Sequence, residues 1–191
     1  VLSLTSDLGP ENQTAYIGID NLAAGRTAAW LVSRLVPAMG RVLLMTGSQT
    51  YQVHRERTQG FKQGLASWGP RLKLVGPMDV DDLDDKAERE LRAAIKRYGR
   101  LAAVYNSGGA NEGVRRVLAD MREADRPVWI THEASARNGA LLQQGVITTL
   151  IDQSPELQAR VGLETILHQY GELAAAPSPR IDLRVITPGN L

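Results

Sequence analysis

Short β-rich apolar runs alternate along this chain with helix-period segments, and that alternation restricts the fold to parallel sheets joined by right-handed crossovers, with helices on both faces. The fold class is therefore α/β. Five polar clusters fall where apolar runs end or just beyond: Gly18-Ile19-Asp20-Asn21, His54-Arg55-Glu56-Arg57, Tyr105-Asn106-Ser107-Gly108-Gly109, Thr131-His132-Glu133 and Ile151-Asp152-Gln153. In open α/β sheets the carboxyl ends of strands line the crevice where ligands bind, so recurrent polar strand ends point to one shared pocket. They read as a binding cleft more than as catalytic machinery.

Periodicity predicts strands at 1–5, 15–19, 41–46, 72–75, 101–105, 127–131, 146–151 and 181–186. Helices are predicted between them. One runs from Asn21 to Val36 with Leu22, Ala28, Leu31, Val32 and Leu35 on one face, and others span 55–68, 84–98, 110–123 and 135–144. The last follows Ser154 as cap and Pro155 at its first position, with Leu163, Ile166, Leu167 and Tyr170 expected to face inward.

With 191 residues, 43% of them hydrophobic and 23% charged, the chain can bury a sizeable core and resembles neither a disordered segment nor a fibre. The 22 Lys and Arg are dispersed and nearly matched by 21 Asp and Glu, which gives no electrostatic footprint for nucleic acid or an anionic membrane. The absence of cysteine excludes disulfides, thiolate metal sites and a cysteine nucleophile, and leaves the compartment open. No apolar stretch approaches the roughly 20 residues of a membrane span. A start inside an apolar segment without Met suggests a piece of a longer chain.

Several polar groups have two readings. Asp20 with Asn21 can cap the following helix or reach a ligand, and Arg57 can pair with an acid on a helix surface or enter the cleft. His132 reads as an oriented core or hinge residue and His54 as exposed. Carboxylates at Asp79, Asp81, Asp82, Asp84 and Asp85 favour a helix N-terminus and lack the Gly and late Glu of a calcium loop. Ser107 to Gly113 precedes a helix but matches no phosphate-binding fingerprint. With no nucleophile elbow, metal spacing or paired acid visible, neither an enzyme nor a metal or other cofactor is expected.

Polyol recognition needs guanidinium forks, carboxylates and carboxamides at several angles, supplemented by an aromatic ring, and the strand-end set supplies those types. Tyr51 or Tyr105 could provide the ring. The wording and order of Tyr16-Ile17-Gly18-Ile19-Asp20-Asn21, Arg55-Glu56-Arg57-Thr58-Gln59-Gly60-Phe61, Val104-Tyr105-Asn106-Ser107-Gly108-Gly109-Ala110-Asn111, His132-Glu133 and Ile151-Asp152-Gln153-Ser154-Pro155 resemble two related groups. These are the sugar-binding periplasmic proteins and the effector domains of lactose-repressor (LacI-type) transcriptional regulators, which share the type I periplasmic-binding fold.

The resemblance implies a ligand held between two lobes that the chain crosses near Ile19 to Asp20, near Gln153 and near Leu183 to Arg184. Residues 20–153 and 183–191 would form lobe two, with parallel sheets flanked by helices, while 1–19 and 154–182 would supply only part of lobe one. Arg57 resembles the family arginine that donates to two ligand oxygens, Glu133 stands where an Asp is common, and Gln153 matches the hinge-side amide. Ser107 stands where sugar binders often have Asn, with Asn106 beside it to take that role. Thr5 and Ser6 replace an Asp-Arg pair, with Asp7 to compensate.

The motif wording favours a regulator's effector domain. That implies a carbohydrate effector, a homodimer, cytoplasmic location, and operator DNA contacted only through a helix-turn-helix domain absent from this chain. The alternative is a periplasmic sugar-binding protein of an ABC transporter.

Overall fold

The computed structural model describes residues 1–191 and divides them between two sheets. Strands β1 (Leu2–Leu4) and β2 (Ala15–Ile17) pair in parallel with each other, and a single bridge joins Gly18 to Arg180 alongside. Helix α1 (Asn21–Leu35) then leads into the larger sheet, whose strands are β3 (Gly40–Thr46), β4 (Leu72–Asp79), β5 (Ala103–Asn106), β6 (Val128–His132), β7 (Thr149–Asp152) and β8 (Arg184–Ile186). Between them run α2 (Gln52–Trp68), α3 (Asp84–Tyr98), α4 (Asn111–Ala119), α5 (Ala136–Gln143) and α6 (Pro155–Gln169).

The six-stranded order is β4-β3-β5-β6-β7-β8, so the chain reverses direction across the sheet between β3 and β5. The loops leaving those two strands diverge, and the gap they open is where a ligand crevice forms in such sheets. Neighbours from β4 to β7 are parallel, whereas β8 runs antiparallel against β7, with Leu150 beside Ile186. The sheet is thus parallel as expected, with one antiparallel strand added at its edge. A strand arriving from outside the βα repeat has no crossover helix to fix its direction, so the edge accepts either sense.

Period-2 alternation sorts the two cores. Val42, Leu44, Ala103, Tyr105 and Ile130 face α1 and α2 with Ala28, Val32, Phe61 and Leu65, while Leu43, Met45, Val104 and Trp129 face α3 and α4 with Leu91, Val114 and Leu118. Observed strands lie slightly later than predicted at β5, β6 and β7, and β4 extends to Asp79, because the polar strand-end residues themselves complete the ladders. Helix α4 ends at Ala119, and a 3-10 turn follows at Glu123–Asp125.

Helix α6 departs from its predicted orientation. Leu163, Ile166 and Tyr170 are exposed, and the inward face consists of Gln158, Val161 and Gly162. The sheet under α6 is only two strands wide and covers a narrow stripe of the helix, with Leu4 lying against Gly162.

Helices α1 and α2 approach so closely that side chains are excluded at the crossing. A Cβ on Gly60 would stand 2.1 Å from the Leu22 carbonyl oxygen, and one on Gly25 would stand 2.1 Å from that of Arg57. This contact fixes α2, and with it Arg57, against the first turn of α1. Gly60→Ala is expected to destabilise the fold by about 1–3 kcal/mol, as overpacking does. Gly189→Ala, whose Cβ would meet only Thr187 Oγ1 at 3.9 Å, should leave the thermal midpoint unchanged in a melting experiment.

Candidate functional site

Arg57 lies one turn and a half into α2, which places its side chain under the diverging loops of β3 and β5. The guanidinium is buried and makes three contacts: Nε donates to Asn21 Oδ1 at 2.9 Å, one Nη to the Ser107 carbonyl at 3.0 Å, and the other to Gln153 Oε1 at 3.1 Å. None of these partners is charged. A guanidinium has five N–H groups, so two remain beyond the three that these bonds use. Burial pulls the Arg57 pKa below its ordinary value, while Tyr105 and the Glu133 carboxylate oppose that pull. The surface-pair reading of Arg57 is thereby set aside.

Gln153, at the end of β7, connects this cation to Glu133. Its amide oxygen accepts from Arg57 while its Nε2 donates to Glu133 Oε1. Burial raises the Glu133 pKa, with Arg57 and the Gln153 bond acting in the opposite direction. Glu133 adopts φ 72°, and its backbone is pinned by Asn138 Nδ2, which donates to the carbonyls of His132 at 3.1 Å and Glu133 at 2.9 Å. Ser154, next to Gln153, also has positive φ (52°), and so does Thr5 (68°), where a β-branched residue pays the largest steric penalty. Three left-handed residues at three strand ends mark this junction as locally strained.

The smaller sheet reaches the same junction. The Thr5 N–H and Oγ1 lie 3.0 and 3.3 Å from Gln158 Oε1, and Gln158 Nε2 donates to the Gln153 carbonyl at 2.8 Å. The Tyr16 hydroxyl lies 3.1 Å from the carbonyls of both Thr5 and Ile19, which share its single O–H, and accepts from Asn21 Nδ2 at 3.0 Å. Burial pushes the Tyr16 pKa up to about 12. Tyr16, Gln158 and Asn138 therefore organise the site without having been singled out as its residues, together with Asn21, which was weighed with Asp20 as a cap or a ligand contact. Tyr16 and Asn21 carried a signal through the first of the resemblance stretches, whereas Gln158 and Asn138 carried none.

Other expected residues are used differently. Asp20 caps α1, accepting from Ala23 N at 2.8 Å, and its exposed side lines a depression of about 360 Å³ with Arg26, Trp30 and Trp68, on the outer side of α1 and α2. Asn106 is turned into its own loop, donating to the Gly109 carbonyl and to Asn111 Oδ1 at 2.9 Å. The chain between β5 and α4 passes through a left-handed Ala110 that cannot cap the helix, so Asn106 closes the turn. Ser107 is fully buried, and its hydroxyl has no hydrogen-bond partner. Ser6 is half-buried beside Thr5, while Asp7 Oδ1 accepts from Gly9 N at 2.8 Å and Gln13 Nε2 at 2.5 Å. Tyr51 is 58% exposed at the start of α2, whereas Tyr105 is core, stacked on Phe61 with centroids 4.6 Å apart.

His54 is buried rather than exposed, because the Asp82 carboxylate reaches back over Gly47 to within 3.5 Å of its Nε2. That bond, together with the Gly109 N–H, holds the Asp82 pKa below the usual carboxylate value. The carboxylates of 79–85 thus do more than sit solvated at a helix start. No group of three His, Asp or Glu is arranged to hold a metal ion, and no helix is long and apolar enough to cross a membrane.

Two sheets meeting at a polar junction, with the switch point of the larger one facing it, define the type I periplasmic-binding-protein fold. The chain belongs to the family described as periplasmic binding protein domain, whose profile matches residues 1–172. It is 26% identical to the ribose import binding protein of Haemophilus influenzae over 191 residues, 98% of this chain and 63% of that protein. The chain thus spans less than two thirds of that relative's length. The Caulobacter myo-inositol binding protein, solved with myo-inositol, is 26% identical with TM-score 0.84, covering 100% of this chain and 66% of that one. A Burkholderia graminis ABC transporter solute binding protein in complex with D-arabinose shares the fold at 24% identity and TM-score 0.88, over 100% of this chain and 67% of its own.

Beneath the site, burial drives the His132 pKa well below its ordinary value, so the imidazole bonded to Tyr105 Oη at 2.8 Å is neutral in the folded state. A depressed pKa contributes stability above the unfolded value near 6.5 that is lost as pH falls below it. Thermal melts from pH 7.5 to pH 5 should show stability declining. His132→Gln should flatten that decline, and an unchanged slope would assign it to other groups.

Proposed function

We propose that this chain is the sugar-capturing part of a periplasmic solute-binding protein, taking a small polyol at the junction of its two sheets. The observation that supports this most is the Arg57–Gln153–Glu133 relay, a buried cation and a half-buried carboxylate joined through one carboxamide. Adjacent hydroxyls of a sugar are donors and acceptors at once, so they can take the guanidinium's remaining N–H groups and the carboxylate's remaining lone pairs together. Glu133, one methylene longer than Asp, reaches further from its strand end toward such a guest. The buried Ser107 hydroxyl offers a further partner at the β5 end.

The named relatives bind ribose, myo-inositol and arabinose, and they favour solute capture over the LacI-type regulator. With that preference, the proposed location moves from the cytoplasm to the extracytoplasmic side, and operator DNA and the homodimer leave the reading. Residues 1–19 and 154–182 then belong to one lobe and 20–153 with 183–191 to the other. The passages at Ile19–Asp20, Gln153 and Leu183–Arg184 act as the hinge. Gln158 supports that division, since it ties Thr5 of the small sheet to Gln153 at a passage point.

Isothermal titration calorimetry of the full chain against D-ribose, D-arabinose and myo-inositol tests the proposal. Binding of at least one is expected. Glu133→Ala should weaken that binding roughly 10- to 100-fold, the range for losing hydrogen bonds to a charged group, without a lower melting temperature. Absence of heat with every polyol, or unchanged affinity in the variant, would contradict it.

A further inference from the structure

The edge of the six-stranded sheet opposite the proposed sugar site is basic and unpaired. β3 is seven residues long, so this edge lies roughly 20 Å from the site. The chain enters four adjacent strands through cationic residues: Arg71 and Lys73 at β4, Arg41 at β3, Arg100 before β5, and Arg126 before β6. Arg41 and Lys73 are direct register partners. Strands stand about 4.8 Å apart, so the row extends over roughly 15 Å.

These cations line two adjoining depressions of about 470 and 450 Å³ that share Met39, Gly40 and Arg100. Neither has a carboxylate in its lining, and none of the five cations has an acidic oxygen within 4.0 Å. Arg100 and Arg126 donate to the backbone carbonyls of Ala124 and Leu118, which leaves their charge uncompensated. On the helical faces around α3 and α4, by contrast, Arg92, Arg115, Arg116 and Arg122 pair with Asp or Glu, while Arg26, Arg34 and Arg97 lie over aromatic rings. Between the cations the surface is apolar, with Met39 70% and Leu35 45% exposed.

We propose that this groove docks an acidic segment of a partner protein, one carrying apolar side chains among its carboxylates. Charge complementarity selects the acidic segment, and exposed Met39 and Leu35 select a polypeptide over a purely ionic guest. The groove and the sugar site lie at opposite ends of the strands, so this proposal stands independently of the sugar reading.

The test is fluorescence anisotropy of the full chain with a labelled peptide of glutamates interspersed with leucines. Polyglutamate, tripolyphosphate and phosphatidylglycerol vesicles serve as comparison arms. The mixed peptide should bind more tightly than any of them, weaken as salt rises, and lose about tenfold or more in affinity to the variant R41E/K73E/R100E. All three positions are exposed, so the variant should keep its melting temperature, and Met39→Ser gives a second, uncharged probe that should also weaken binding. Equal binding by the charge-reversed variant would overturn the proposal. So would a purely ionic arm or the vesicles binding as tightly as the mixed peptide.

Discussion

A guanidinium buried without a bonded carboxylate is an expensive feature, and much of the structure serves to keep Arg57 in place. Its three partners come from α1, the loop after β5 and the end of β7, far apart in sequence and brought together by the sheet order. Because each is a neutral oxygen, the cation is solvated by dipoles and not neutralised. Glu133 approaches only through Gln153, which leaves the ion pair incomplete at the place where a polar guest would enter.

Local strain and close packing follow from that requirement. The glycines at the α1–α2 crossing let the helices approach until the Arg57 side chain reaches Asn21. Left-handed backbone at Thr5, Glu133 and Ser154 redirects three strand ends toward one another, and amides from Asn138 and Gln158 hold two of them there. A pre-formed site of this kind lowers the ordering cost of binding and concentrates stress at the passages between sheets.

The alternation of elements and the polar strand ends were legible in the sequence, since buried parallel strands read as apolar runs and their carboxyl ends must be satisfied by polar residues. Arg57, Glu133 and Gln153 were picked out through the resemblance to periplasmic-binding proteins, Glu133 and Gln153 also by their places after apolar runs, and the fold brings the three together. Side chains absorbed by local turns were less legible. Asn106 and Asp20 have the right chemistry at the right strand ends, yet a left-handed turn and a helix start claim them first. Nor did spacing reveal Gln158 or Asn138, which lie on helices and matter through contacts made across the fold. The orientation of α6 was misread because helical periodicity shows which residues share a face, not how much sheet lies beneath it.

The central claim is that the Arg57–Gln153–Glu133 relay receives the guest directly. Side-chain NMR of the full chain, following the Arg57 Nε–H and Gln153 amide resonances during titration with D-ribose, D-arabinose or myo-inositol, addresses it most directly. Saturable shifts at both groups with a common midpoint are expected. Saturable shifts elsewhere in the chain, with these two resonances unmoved, would contradict it.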